Sequence, residues 1–168
     1  MKILEADKIG SATSPLNLTK TVTVIEENNA PKVGDVVVVR ALSESVTYGN
    51  LELPSGRLAR ITKGDILLGV LGKRRALKGF VGDIPDSIKI GDKLHILNMG
   101  GVIGVCLGHH SSLSDAIEVE VLGIAADFGF RISDFGFKAK DKVQMTRDKE
   151  PKILNIADKA LKPTNFLK

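Results

Sequence analysis

The chain has no tryptophan, one tyrosine and one cysteine, and aromatic residues make up only 4% of it. A lone cysteine, Cys106, rules out an internal disulfide framework and points to a reducing compartment, the cytoplasm. Scarce rings weigh against a single-strand nucleic-acid groove, which needs aromatic platforms for the bases. No apolar run reaches the roughly 18–20 residues of a membrane helix. Acidic residues appear at Glu5 and Asp7, too early for a secretory leader. No membrane association is expected.

What is plentiful is glycine, 17 in 168 residues, set in an aliphatic background that makes the chain 43% hydrophobic. That length suits one domain, and a domain of about 150 residues buries roughly 70% of its unfolded surface without a metal or disulfide staple. The net charge of +4 is unevenly placed. Residues 1–137 hold 15 Lys/Arg against 16 Asp/Glu, whereas residues 138–168 hold nine against four. The body is neutral and the tail basic, so the overall charge does not mark the whole domain as a nucleic-acid binder.

A turn followed by an apolar strand recurs. Val33-Gly34-Asp35 leads into Val36–Val39, Lys63-Gly64-Asp65 into Ile66–Leu71, and Ile90-Gly91-Asp92 into Lys93–Leu97, at spacings of 30 and 27 residues. Glycine permits a positive φ, and aspartate bonds nearby amides through its side chain. Strands are expected near 2–6, 18–26, 35–42, 49–53, 57–61, 66–71, 77–82, 93–98, 102–107 and 116–124. Thr19–Val24 and Ile117–Val121 alternate and should bury one face; 36–39 and 66–71 are apolar throughout and should lie deeper. Pro54-Ser55-Gly56 reads as a tight connection. Met99-Gly100-Gly101 reads as a hairpin whose two glycines take left-handed conformations.

The class is all-β: a small closed or partly open β-barrel over residues 1–126. A Phe-rich packing segment follows at 127–149 and a basic tail at 150–168. No helix is expected before residue 150; Pro151 opens a possible short one, ended by Pro163. Phe128, Phe130, Phe135 and Phe137 stand in two near-copies seven residues apart. They either plug one end of the barrel or dock a partner.

Catalytic signals are poor. His109-His110, Ser111-Ser112 and Asp115 have the residue types of a hydrolase triad, but neighbours in one loop do not assemble its geometry. They read as a polar loop, and without further ligands at characteristic spacing they make no metal site. His95 reads as a partly exposed strand residue, and Cys106 as an inert thiol in a buried strand. Gly69-Val70-Leu71-Gly72-Lys73-Arg74 lacks the spacing and the Ser/Thr of a phosphate-binding loop. No catalytic residue, metal or cofactor is expected.

The basic stretch Lys73, Arg74, Arg75 and Lys78, with Arg57 and Arg60 before it, is the candidate anion site. If the strands at 57–61 and 66–71 pair, these cations share one rim, where guanidinium forks match phosphates. The competing reading pairs them with Asp83, Asp86 and Glu52.

Asn50–Arg60, Lys63–Gly72 and Leu94–Gly104 together resemble the N-terminal barrel of a little-characterised bacterial family in which a P-loop nucleotidase domain follows. The resemblance spans residues 30–124, and no nucleotidase motif follows within the 168 residues. It implies an accessory domain and carries over no catalytic residue. The leading expectation is a non-enzymatic binding or assembly module that docks on a partner protein, plausibly a nucleotidase. The alternatives are a small-anion or nucleotide sensor using the basic rim, and a nucleic-acid-binding barrel using the tail. An exposed strand edge such as 117–121 would allow homo-oligomers.

Overall fold

The computed structural model describes residues 1–125, 141–145 and 151–155. Its strands are β1 (Lys2–Glu5), β2 (Lys8–Ile9), β3 (Thr21–Ile25), β4 (Glu27–Asn28), β5 (Val36–Ala41), β6 (Asn50–Glu52), β7 (Leu58–Arg60) and β8 (Ile66–Leu71). They continue as β9 (Arg74–Arg75), β10 (Phe80–Asp83), β11 (Ile88–Lys89), β12 (Lys93–Ile96), β13 (Val102–His109), β14 (Glu118–Ala125), β15 (Asp141–Met145) and β16 (Pro151–Asn155).

Five of these strands close on themselves. β5 pairs with β14 and β8, β8 with β13, β13 with β12, and β12 with β14, so the hydrogen-bonded path returns to its start. Every step is antiparallel except β8–β13, where Val102 and Ile103 lie beside Val70 and Leu71 in parallel. A ring leaves no open edge among its members. β1 and β3 extend from β14 on one side, and β10 and β9 from β13 on the other.

The three Gly-Asp turns build this ring by one repeated device. Gly34, Gly64 and Gly91 have φ of 93°, 95° and 93°, a region costly for any side-chain-bearing residue. The aspartates close the turns: Asp35, Asp65 and Asp92 each accept from the backbone N–H three residues back, at 2.8, 2.8 and 3.0 Å. Each turn then clamps a neighbouring strand. Gly34 N–H donates to Leu71 O and Leu71 N–H to Asp35 O, both at 2.8 Å. Likewise Gly64 N–H donates to Ala41 O, and Ala41 N–H to Asp65 O. The third turn holds Val121 in the same way. Because 34–41 and 64–71 pair antiparallel with Val38 opposite Leu68, they are related by a local two-fold axis.

The continuous apolar runs have two buried faces. Val37, Val39, Leu67 and Leu71 point into the ring with Leu94, Ile103, Val119 and Val121. Val36, Val38, Leu68 and Val70 point outward, and are covered by Ala6, Val22 and Val24. A strand buried on both sides loses the alternation that marks a half-exposed one. β3 and the start of β14 keep theirs.

Two features depart from the sequence reading. Ser11–Leu16 forms a 3-10 helix where none was expected. Thr13 and Ser14 hydroxyls donate to Gly10 O and Ser11 O, and Asn17 ends it in a left-handed conformation. Side chains bonding backbone over three residues leave no hydrophobic periodicity to read. Second, Pro151–Asn155 is a strand, not the start of a helix, and pairs antiparallel with β15 so that Val143 stands opposite Ile153. Proline at a first strand position forfeits no interior ladder bond. The ring strands lie between Val36 and Ala125, while Phe128, Phe130, Phe135 and Phe137 and the tail apart from Pro151–Asn155 lie outside the described residues.

The 99–101 hairpin joins β12 to β13 as expected, with only Gly101 left-handed, at φ 88°. No helix among the described residues is long and apolar enough to cross a membrane.

Candidate functional site

The strand pairing on which the basic rim was expected to rest does not form. β7 pairs with β6 rather than with β8, Asn50 opposite Arg60 and Glu52 opposite Leu58. Pro54-Ser55-Gly56, with Gly56 at φ 84°, turns the chain back on itself before β8 begins. Arg57 and Arg60 therefore sit on a hairpin of their own, exposed. Lys73 and Arg75 face Asp83 at 3.5 and 3.2 Å, and Arg75 Nη1 also donates to Gly82 O at 2.5 Å. The Ile84 N–H bond, helped by both cations, holds the Asp83 carboxyl below its ordinary range although partial burial opposes it. Arg74 is half-buried, donates through Nη1 to Leu97 O, and lies 5.6 Å from the centre of the Tyr48 ring. Lys78 is exposed, and among the described residues the side chains of Arg57, Arg60 and Lys78 form no ion pair.

From Arg74 a stack of rings crosses the fold. Tyr48 meets Phe80 edge-on at 5.3 Å, and Phe80 meets His109 at 5.7 Å. Phe80 is fully buried, with Leu97 and Ala116 around it. At the far end of the stack opens a cleft of ≈ 670 Å³.

Three neighbouring strands and two loops make that cleft. His95 on β12 stands opposite Glu118 on β14 and Gly104 on β13. Cross-strand partners share a face, as do residues two apart, so Glu118, His95 and Cys106 form a row. One wall is the loop carrying Ser43, Glu44, Ser45 and Val46; the other is the loop carrying Ser114 and Asp115. Ser114 bolts the walls together. Its hydroxyl bonds those of Ser45 and Thr47 at 2.8 and 2.5 Å, and its N–H donates to Thr47 Oγ1 at 3.0 Å. Val46 and Leu107 stand at the mouth, 93% and 63% exposed.

Cys106 is thus half-exposed in a cleft instead of buried in a strand. It lies two residues from Gly104, the cross-strand partner of His95, and so shares that face by strand alternation. The row of thiol, imidazole and carboxylate has the composition of a nucleophilic triad, but the bonds oppose that role. Cys106 N–H donates to His95 Nδ1 at 3.3 Å, which occupies the lone pair a general base needs and leaves the ring proton on Nε2. The thiol points to Gly108 O at 3.6 Å, and Glu118 faces Lys93 at 3.4 Å. Among the described residues no cluster of His, Cys, Asp and Glu is placed to hold a metal.

Among the described residues, three carboxylates, Glu44, Asp115 and Glu118, line the cleft, and no lysine or arginine does. His109 and Asp115 were legible in the sequence as a polar loop. The opposite wall, Ser43–Thr47, carries no motif; a solitary valine in a polar run is its one sequence signal. No protein-family model matches the chain, and no curated protein or solved structure is significantly similar to it.

Proposed function

We propose that the chain is a non-enzymatic docking module: a closed five-stranded β-barrel that receives a segment of a partner protein in the cleft between the 43–48 and 110–115 loops. The observation that carries this reading is the exposure of Val46 and Leu107 at the mouth of a cleft whose walls are bonded to each other. Solvent-facing aliphatic groups beside a cavity are favourable to cover, each worth about 1.5–3 kcal/mol when fully buried. The carboxylates of Glu44, Asp115 and Glu118 select the occupant: a polypeptide segment with an aliphatic side chain next to a lysine or arginine. The resemblance over 30–124 makes a P-loop nucleotidase, in the cytoplasm, the first partner to try.

The test is a photoreactive amino acid placed at Leu107, with a second protein carrying it at Leu77, which is 98% exposed but outside the cleft. Cross-linking to one defined partner from Leu107 alone, lost on Val46→Asp and weakened on Glu44→Lys, supports the reading. Equal labelling from both positions, or adducts indifferent to Val46→Asp, would sink it.

A further inference from the structure

His109 is bracketed by two groups that only accept hydrogen bonds. Its Nδ1 lies 3.1 Å from the carbonyl oxygen of His110, and its Nε2 lies 3.2 Å from Asp115 Oδ1. A neutral imidazole carries one N–H and satisfies one of these; the imidazolium carries two and satisfies both. The neighbouring histidine is the reverse case. His110 Nδ1 receives the Ser112 N–H at 3.1 Å and bonds the Ser112 hydroxyl at 2.7 Å. It accepts from the Ser112 N–H only while its proton sits on Nε2.

We infer that His109 is a protonation-dependent latch on the 110–115 wall of the cleft: as imidazolium it ties both ends of that loop to β13, and on losing a proton it releases one end. The bonds around it define what moves. His110 O also accepts the Leu113 N–H at 2.9 Å, so Nδ1 of His109 caps the turn that places Leu113 against the Phe80 core. At the other end Asp115 follows Ser114, which joins the opposite wall. The ring itself is held against Phe80 of β10, with its side chain 28% exposed, so it is a fixed post and the loop is the moving part.

The ionisable groups facing the cleft from each packed element are Glu44 of the 43–48 loop, His95 of β12, Cys106 of β13, Glu118 of β14 and Asp115 itself. Three of these are carboxylates, and Lys93 pairs with Glu118 at 3.4 Å. From β10 the neighbour is the uncharged Phe80.

The experiment is amide-exchange protection of residues 111–115 in the full chain between about pH 5 and pH 8, corrected for intrinsic exchange, with ¹⁵N shifts of the histidine rings recorded on the same samples. Protection should fall about two- to fivefold on going from acid to base, the size of an ion pair to an exposed carboxylate. Both His109 nitrogens should show imidazolium shifts in the protected state. In Asp115→Asn the amide can offer either oxygen or NH₂ to the ring, so the loop should stay protected and the pH dependence should disappear. His109→Gln, which keeps a polar side chain against Phe80, should also remove the dependence. Loosening in acid would assign the turn to His110 and overturn the proposal, as would a protected loop with a singly protonated His109.

Discussion

Lys8 Nζ meets Asp65 Oδ2 at 2.5 Å, joining the short strand β2 to the turn that launches β8. The preceding residue, Asp7, accepts the Ile66 N–H at 2.8 Å, so two consecutive side chains stitch the N-terminal segment onto one ring strand. Burial works to raise the Asp65 carboxyl, but the Lys8 bond, the Thr62 N–H and the Lys8 charge outweigh it and leave it below the ordinary 3.8.

A carboxyl lowered on folding contributes stability that is complete above its unfolded value and is lost as the pH falls through its folded value. Asp65→Asn should therefore destabilise the protein by about 1 kcal/mol near neutrality, a figure reduced for partial exposure. The gap from wild type should narrow as the pH drops below about 4, the region where an unperturbed Asp titrates. Urea unfolding at several pH values measures it; a gap that stays constant down to the acid limit would mean the ion pair contributes nothing.

The two faces of β8 predict a pair of equal losses. Leu67 lies inside the ring and Leu68 outside it, 1% and 0% exposed. Leu67→Ala and Leu68→Ala should each cost about 2–5 kcal/mol, the range for emptying a well-packed site. Chemical denaturation of both variants decides the matter, since a sheet covered on one side only would spare one of them.

Arg74 and Arg57 should separate, although the sequence groups them. Arg74→Ala removes a charged bond to Leu97 O and the contact with Tyr48, a loss of about 2 kcal/mol and several degrees in Tm. Arg57→Ala, at an exposed turn, should leave the midpoint within about 0.5 kcal/mol of wild type. Thermal scans with and without nucleotides and short oligonucleotides complete the test. Equal midpoints together with an Arg74-dependent shift on adding nucleotide would return Arg74 to an anion site.

The sequence by itself determined the punctuation of this protein. Gly34, Gly64 and Gly91 need a positive φ, Asp35, Asp65 and Asp92 close their own turns, and alternation marks β3 and the start of β14. These are local constraints, written within three or four residues, and so the long strands β3, β5, β8, β12, β13 and β14 could be placed from the residues alone. Tertiary structure decided what touches what. That β7 turns back onto β6, that Cys106 faces a cleft, and that Ser114 reaches Thr47 across 67 residues are matters of register and ring closure. A strand's pattern says which face is buried but not which neighbour buries it. Pairing partners are chosen by the competition among all strands at once, and the cleft exists only where that competition brings two distant polar loops together.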